Sequence, residues 1–201
     1  MKQLEGKVIV IGNALTPIGS LLARTLVREG ALVALGTAES CPAYLLKDEL
    51  GASAIVVEYN NSLEFDASLL FQEVKRTFGN PDSYVHEFAL PPPALTEYLN
   101  QQREDLYAKT LVPPEIMIGA SAAFMQENGV RGTNIFITPE MDPRMPLEER
   151  ITLPAALARF DGIKSKYRGT GIEFIRYIKP FKTEEQMTED LKNLVLTGKL
   201  S

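Results

Sequence analysis

The stretch from Lys7 to Gly30 limits the folds open to this chain more than any other. Lys7-Val-Ile-Val-Ile11 is a short β-branched apolar run that stops at Gly12, as a buried strand does. Ile18, Leu21, Leu22, Leu26 and Val27 then recur at helical spacing, and Gly30 closes that helix. A strand apolar at every position needs both faces covered, which strands alternating with helices provide. The alternation continues, with strands expected over Ala31–Leu35, Ala54–Val57, Asp82–Phe88, Asn134–Ile137 and Ile172–Ile178. Helices are expected over Pro42–Leu50, Leu63–Phe78, Leu95–Met125, Leu153–Tyr167 and Thr183–Val195, the long one broken or kinked at Pro113-Pro114. A short strand at Leu194–Thr197 is a further expectation. This pattern predicts a single α/β domain spanning 1–201, a three-layer α/β/α sandwich around a doubly wound parallel sheet of six or seven strands.

Composition narrows the function classes. Hydrophobic residues make up 45% of 201, enough for a sizeable core, and the apolar runs fall short of the roughly 18 residues needed to span a membrane. The start of the chain lacks a signal-peptide pattern, so a cytoplasmic protein is expected. A net charge of −5 argues against a nucleic-acid surface. A single cysteine, Cys41, and a single histidine, His86, leave no Cys/His zinc constellation, and Cys41 is expected to be buried as a small apolar residue. Nine of the 13 prolines lie between Pro91 and Pro154, largely in connections where a doubly wound sheet borders its ligand crevice.

The opening strand, glycine turn and helix suggest a dinucleotide-binding Rossmann domain, and the whole order of elements resembles the short-chain dehydrogenase/reductase superfamily. The resemblance runs from Leu4 to about Pro180. It is strongest in Leu4-Glu-Gly-Lys-Val-Ile-Val-Ile-Gly12, Leu26-Val-Arg-Glu-Gly-Ala-Leu-Val33, Phe78-Gly-Asn-Pro-Asp82 and Gly171-Ile172. These are framework motifs. The family's Thr-Gly-x-x-x-Gly-Ile-Gly loop falls on Gly12-Asn13-Ala14-Leu15-Thr16-Pro17-Ile18-Gly19, where Asn13 and Pro17 replace two glycines. Asn13 tolerates the left-handed region better than most residues, whereas Pro17 has no N–H to offer a phosphate. Two readings stand side by side: a weakened dinucleotide site, and a turn kept for packing.

The resemblance implies a cofactor site made by Gly12, Asn13, Thr16, Ile18, Gly19, Thr37 and Asn60, with Asn60 where the family has an adenine-holding Asp. It implies NAD or NADP. Nothing chooses between them, because Leu35-Gly-Thr-Ala-Glu-Ser40 carries no basic residue and Glu39 stands late for a ribose-binding acid; binding is expected to be weak or lost. The family's Asn-Asn-Ala-Gly falls on His86-Glu87-Phe88-Ala89, so a large ring stands where a small residue leaves room for cofactor. His86 and Glu87 are neighbours on a strand and point to opposite faces, which makes them a poor acid–base pair.

The reaction centre is the clearest departure. The family uses an Asn in the long helix, a Ser after the fifth strand and a Tyr-x-x-x-Lys pair whose Lys lowers the Tyr pKa. The Asn position falls on Lys109 or Thr110, the Ser position on Thr138 or Pro139, and the Tyr and Lys positions within Glu149–Ala156. No Tyr and no Lys occurs from Leu111 to Ile163, and no tyrosine in the chain has a lysine four residues later. Arg150 alone does not restore the relay. The family's substrate lid is expected to be truncated, with 21 residues after Pro180. No catalytic and no metal-binding residue is assigned.

These residues predict a Rossmann-fold binding, regulatory or assembly subunit without the standard reductase chemistry. The alternative is an atypical NAD(P)-dependent oxidoreductase. A homo-oligomer, dimer or tetramer, is implied by the resemblance. Its contact would use Met117, Ile118, Ala120, Ala122, Ala123 and Phe124 of the long helix with Leu153, Ala155, Ala156, Leu157 and Phe160 of the next, unless these residues face the sheet.

Overall fold

A computed structural model of the chain describes residues 2–37, 40–59, 64–89, 103–179 and 183–197. Six strands form one sheet: β1 Val8–Ile11, β2 Leu32–Thr37, β3 Ala54–Glu58, β4 Ser83–Glu87, β5 Thr133–Pro139 and β6 Glu173–Lys179. Their spatial order is β3-β2-β1-β4-β5-β6, and every pairing is parallel. The order reverses between β1 and β4, so the crevice beyond their C-terminal ends is where this topology places a ligand.

Among the described residues, six helices cover the sheet: α1 Pro17–Arg28, α2 Ser40–Leu50, α3 Glu64–Phe78, α4 Arg103–Glu127, α5 Leu147–Lys166 and α6 Glu184–Thr197. Alternate strand positions feed two cores. Val8, Val10, Ala34, Tyr84, Phe136 and Phe174 join α3, α4 and α5 on one face. Ile9, Ile11, Val33, Leu35, Val85 and Ile137 join α1, α2 and α6 on the other. This is the three-layer, doubly wound arrangement that the alternation of apolar strands and amphipathic helices requires.

The framework motifs have structural work to do. Asp82 accepts the backbone N–H of Val8 at 2.9 Å and the ammonium of Lys7 at 2.7 Å, which fixes the start of β1 beside β4. Gly30 and Gly79 adopt positive φ, where side chains are disfavoured, as the chain leaves α1 and α3.

Two local expectations are corrected and one is narrowed. Pro113 and Pro114 lie inside α4 without breaking it, which removes the expected break. Each removes one intrahelical donor, but Met117, Ile118 and Ala122 are fully or almost fully buried, and that packing holds the helix together. Leu194–Thr197 is the end of α6, where Leu194 packs at 0% exposure in the α1-side core, so it does not form a strand. Cys41 is exposed, because the first turn of α2 points outward there.

Candidate functional site

Gly12 follows directly on β1, and its N–H donates to the Val85 carbonyl at 2.8 Å. Directly behind it, Tyr84 Oη meets His86 Nδ1 at 2.7 Å. Tyr59, just after β3, donates its hydroxyl to the Gly12 carbonyl. Burial pushes the Tyr59 and Tyr84 phenols up and pulls His86 down to about 3, so all three are neutral at pH 7. His86 is thus a satisfied core histidine on the α4–α5 face, edged by the Phe136 ring at 6.3 Å. Glu87 lies in the other direction, as strand alternation demands, and pairs with Lys179 at the end of β6.

The β1–α1 turn is held by its own side chains. Thr16 is the N-cap of α1: its Oγ1 accepts the Gly19 N–H at 3.0 Å and donates to the Asn13 carbonyl at 3.1 Å. Pro17 occupies N1 and has no N–H. Of the first three helical residues, Ile18 alone keeps an N–H that the cap does not use; its side chain is 5% exposed and packs in the core. Asn13 Nδ2 donates to the Glu87 carbonyl at 2.8 Å, crossing from the β1 turn to the end of β4. No described non-glycine residue has positive φ, so Asn13 replaces the family glycine without using the left-handed conformation.

Two acceptors at this crossing are left over. Asn13 Oδ1 and Glu87 Oε2 are buried and have no hydrogen-bond partner. Leaving a buried acceptor unpaired costs about 1–3 kcal/mol.

The fold implies a dinucleotide, whose pyrophosphate would meet this turn, and the residues present do not fit that group. A Cβ on Gly12 would collide with Tyr84 Oη and lie 2.7 Å from His86 Nδ1. A Cβ on Gly19 would collide with the Asn13 carbonyl and lie 2.9 Å from Thr16 Oγ1. Both glycines are therefore required by the protein's own atoms. The donors are depleted by Pro17 and by the Thr16 cap, and a carboxylate with a spare oxygen stands at the crossing.

Of the other implied site residues, Thr37 is buried at the end of β2, and its carbonyl accepts the Tyr59 N–H at 3.0 Å. Asn60 and Glu39 lie outside the described residues. Phe88 is 4% exposed, donates its N–H to the Ile137 carbonyl at 2.7 Å and sits edge-on to Phe136 at 6.4 Å.

The family's reaction centre is occupied by other chemistry. Thr138 is fully buried at the end of β5, and its Oγ1 accepts Arg176 Nε at 3.0 Å. Thr110 is 2% exposed and its hydroxyl has no partner. Thr152, in the Glu149–Ala156 window of α5, gives its hydroxyl to the Glu148 carbonyl at 2.7 Å. Arg150 is exposed and reaches the Pro143 carbonyl at 3.3 Å, away from Thr138's bonded pair. Among the described residues no group of three or more His, Cys, Asp or Glu side chains could hold a metal ion.

Sequence reasoning missed Lys179 and Arg176. Both lie on β6, where Arg176 and Lys179 point to opposite faces, each toward a strand-end partner. The available signal was a basic residue in the middle of the strand, Arg176, and another at its end, Lys179, which a surface edge strand also shows.

No family model and no curated protein matches the sequence. Solved structures do match in shape. A metagenomic short-chain oxidoreductase in complex with NADP superposes with a TM-score of 0.75 at 18% identity, covering 97% of this chain and 93% of that one. A short-chain type dehydrogenase/reductase from Mycobacterium marinum gives 0.71 at 18%, covering 84% and 72%. Sorbitol-6-phosphate 2-dehydrogenase from Erwinia amylovora gives 0.65 at 19%, covering 82% and 68%. The chain has the fold of the short-chain dehydrogenases/reductases. Among the described residues, no helix is long and apolar enough to cross a membrane.

Proposed function

We propose that this protein is a short-chain dehydrogenase/reductase fold that works as a binding, regulatory or assembly subunit through the β1/β4 crevice, without the family's hydride-transfer relay. One observation carries this reading. The Ser-equivalent Thr138 is bonded to Arg176, in a chain with no Tyr or Lys from Leu111 to Ile163. A hydroxyl that accepts from a guanidinium keeps only its own O–H to offer, and without a Tyr–Lys pair on the next helix it lacks the family's relay for passing a proton to a carbonyl substrate.

The comparisons favour a second reading, an atypical NAD(P)-dependent oxidoreductase. Its support is direct: the neighbours are described as dehydrogenases or oxidoreductases, and one that covers 97% of this chain is in complex with NADP. The comparisons lend more weight to this second reading, and the crevice residues to the first. NADPH and NADH oxidation by the purified protein over a panel of aldehydes and ketones separates the two. No turnover above the protein-free rate supports the first reading; saturable turnover overturns it.

Assembly as a homo-oligomer through α4 and α5 belongs to the same proposal. Met117, Ile118, Ala122, Phe124, Leu153, Ala156 and Phe160 are buried against the sheet and are not available for it. The outward groove between the two helices, about 750 Å³ in volume, is lined instead by Val112, Ile116, Gly119, Ala120, Ala123 and Ile163. Glu115 and Arg159 pair across it. Sedimentation of the wild type against Ala120→Glu tests this contact.

A further inference from the structure

We propose that β6 pairs edge to edge with β6 of a second copy of this chain, antiparallel about a two-fold axis at Arg176, so that two sheets join into one. This contact lies on the sheet edge, apart from the α4–α5 groove, and does not rest on it. Among the described residues β6 ends the strand order, with β5 on one side and no strand on the other. Glu173 donates its N–H to the Gly132 carbonyl at 2.9 Å, so Glu173, Ile175, Tyr177 and Lys179 direct their backbone groups to β5. Phe174, Arg176 and Ile178 alternate with them and direct theirs to the open side.

Edge strands are commonly kept from pairing by lysines and other charges that stand outward. Here both basic side chains are drawn back into the subunit, Arg176 to Thr138 at 3.0 Å on one face and Lys179 to Glu87 on the other. Ile178 is left outward, 45% exposed. The strand is also complementary to its own reverse. With Arg176 on the axis, Phe174 falls opposite Ile178 of the second copy, and Glu173 falls opposite Lys179 of the second copy. The residues that then exchange backbone hydrogen bonds are Phe174, Arg176 and Ile178, the same three whose groups β5 does not use. The two arginines meet on the axis, but each guanidinium is held at Thr138 of its own subunit. Ile178 of the second copy arrives at the Phe174 half of the edge, where an open hollow of about 630 Å³ is lined by Tyr167, Ile172, Phe174 and Ile175. A two-fold contact of this kind closes on itself and gives a dimer, not a fibre.

Sedimentation velocity of the purified full chain carrying Ala120→Glu, which disrupts the α4–α5 groove, tests the edge by itself. A dimer is expected there, and Ile178→Pro added to it is expected to raise the dimer dissociation constant about tenfold or more. Proline is tolerated where an edge strand's N–H faces outward, so the subunit loses no ladder hydrogen bond. Ile178→Lys, at the same exposed side chain, is expected to weaken the dimer as well; it covers the case in which the proline variant does not fold. In a chain without Ala120→Glu, Ile178→Lys is expected to lower the assembly mass, which covers loss of folding by Ala120→Glu. A folded but monomeric Ala120→Glu chain overturns the proposal, as does a dimer that neither change at Ile178 weakens. If the α4–α5 contact is the one that fails, Ala120→Glu leaves the wild-type assembly unchanged while Ile178→Lys dissolves it, so the two failures are distinguishable.

Discussion

Asn13 Nδ2 and the backbone carbonyl of Glu87 stand 2.8 Å apart, joining the turn after β1 to the end of β4 across the point where the strand order reverses. In this fold that gap borders the ligand crevice. Here a side chain of the protein spans it, and the two residues each leave one buried acceptor unpaired.

The ion pair beside that crossing sets the first prediction. Lys179→Met removes the partner of a carboxylate whose side chain is 9% exposed. It should lower unfolding stability by about 2 kcal/mol, less than a fully buried pair would lose because the lysine is partly exposed. The double variant Lys179→Met/Glu87→Gln should recover most of the loss. Urea melts of the four proteins give the coupling; a double-variant loss equal to the sum of the two single losses would show that the pair does not couple.

Gly12 is predicted to tolerate no side chain. Gly12→Ala should cost about 3 kcal/mol or more, because the added methyl meets the Tyr84 hydroxyl and the His86 ring. Adding Tyr84→Phe removes the oxygen and should return part of that loss, while Tyr84→Phe alone should cost about 1 kcal/mol for the His86 hydrogen bond. Additive losses in a double-mutant cycle would contradict this placement.

Thr16→Ala removes the N-cap of α1 and should lower stability by about 1 kcal/mol, with Thr16→Ser close to wild type. Thermal melts of both variants check it.

His86 makes stability depend on pH. Its folded value is pulled down to about 3 by burial, below an unfolded value of about 6.5, so the unfolded chain binds the extra proton first. The stabilisation is complete above the unfolded value and is lost as pH falls from there toward the folded one. Between pH 7 and pH 4.5 the wild type should lose about 2–3 kcal/mol more than His86→Gln. Parallel pH dependences in urea melts would contradict a buried neutral histidine.

Much of the fold was legible because apolar runs such as Lys7–Ile11 and the spacing of Ile18, Leu22 and Leu26 leave little choice once both sheet faces must be covered. At the helical prolines the reading was a break or a kink; the break does not occur, because burial of Met117 and Ile118 overrides local propensity at Pro113-Pro114. The departures in the glycine turn could be read residue by residue, but their consequence could not. That Asn13 would reach Glu87, and that Gly12 would be needed by Tyr84, depends on contacts across about 70 residues of chain that no local pattern encodes. Arg176 at Thr138 was hidden for the same reason. A basic residue on a last strand looks like an edge charge until the register with β5 is known.

The claim on which the rest depends is that the β1–α1 turn is closed to a pyrophosphate by the protein's own groups. Calorimetric titration of the purified chain with NADPH, at neutral pH and moderate salt, tests it most directly. We expect no saturable heat up to millimolar NADPH. A micromolar dissociation constant would contradict the claim and return the protein to the dinucleotide-binding members of its fold.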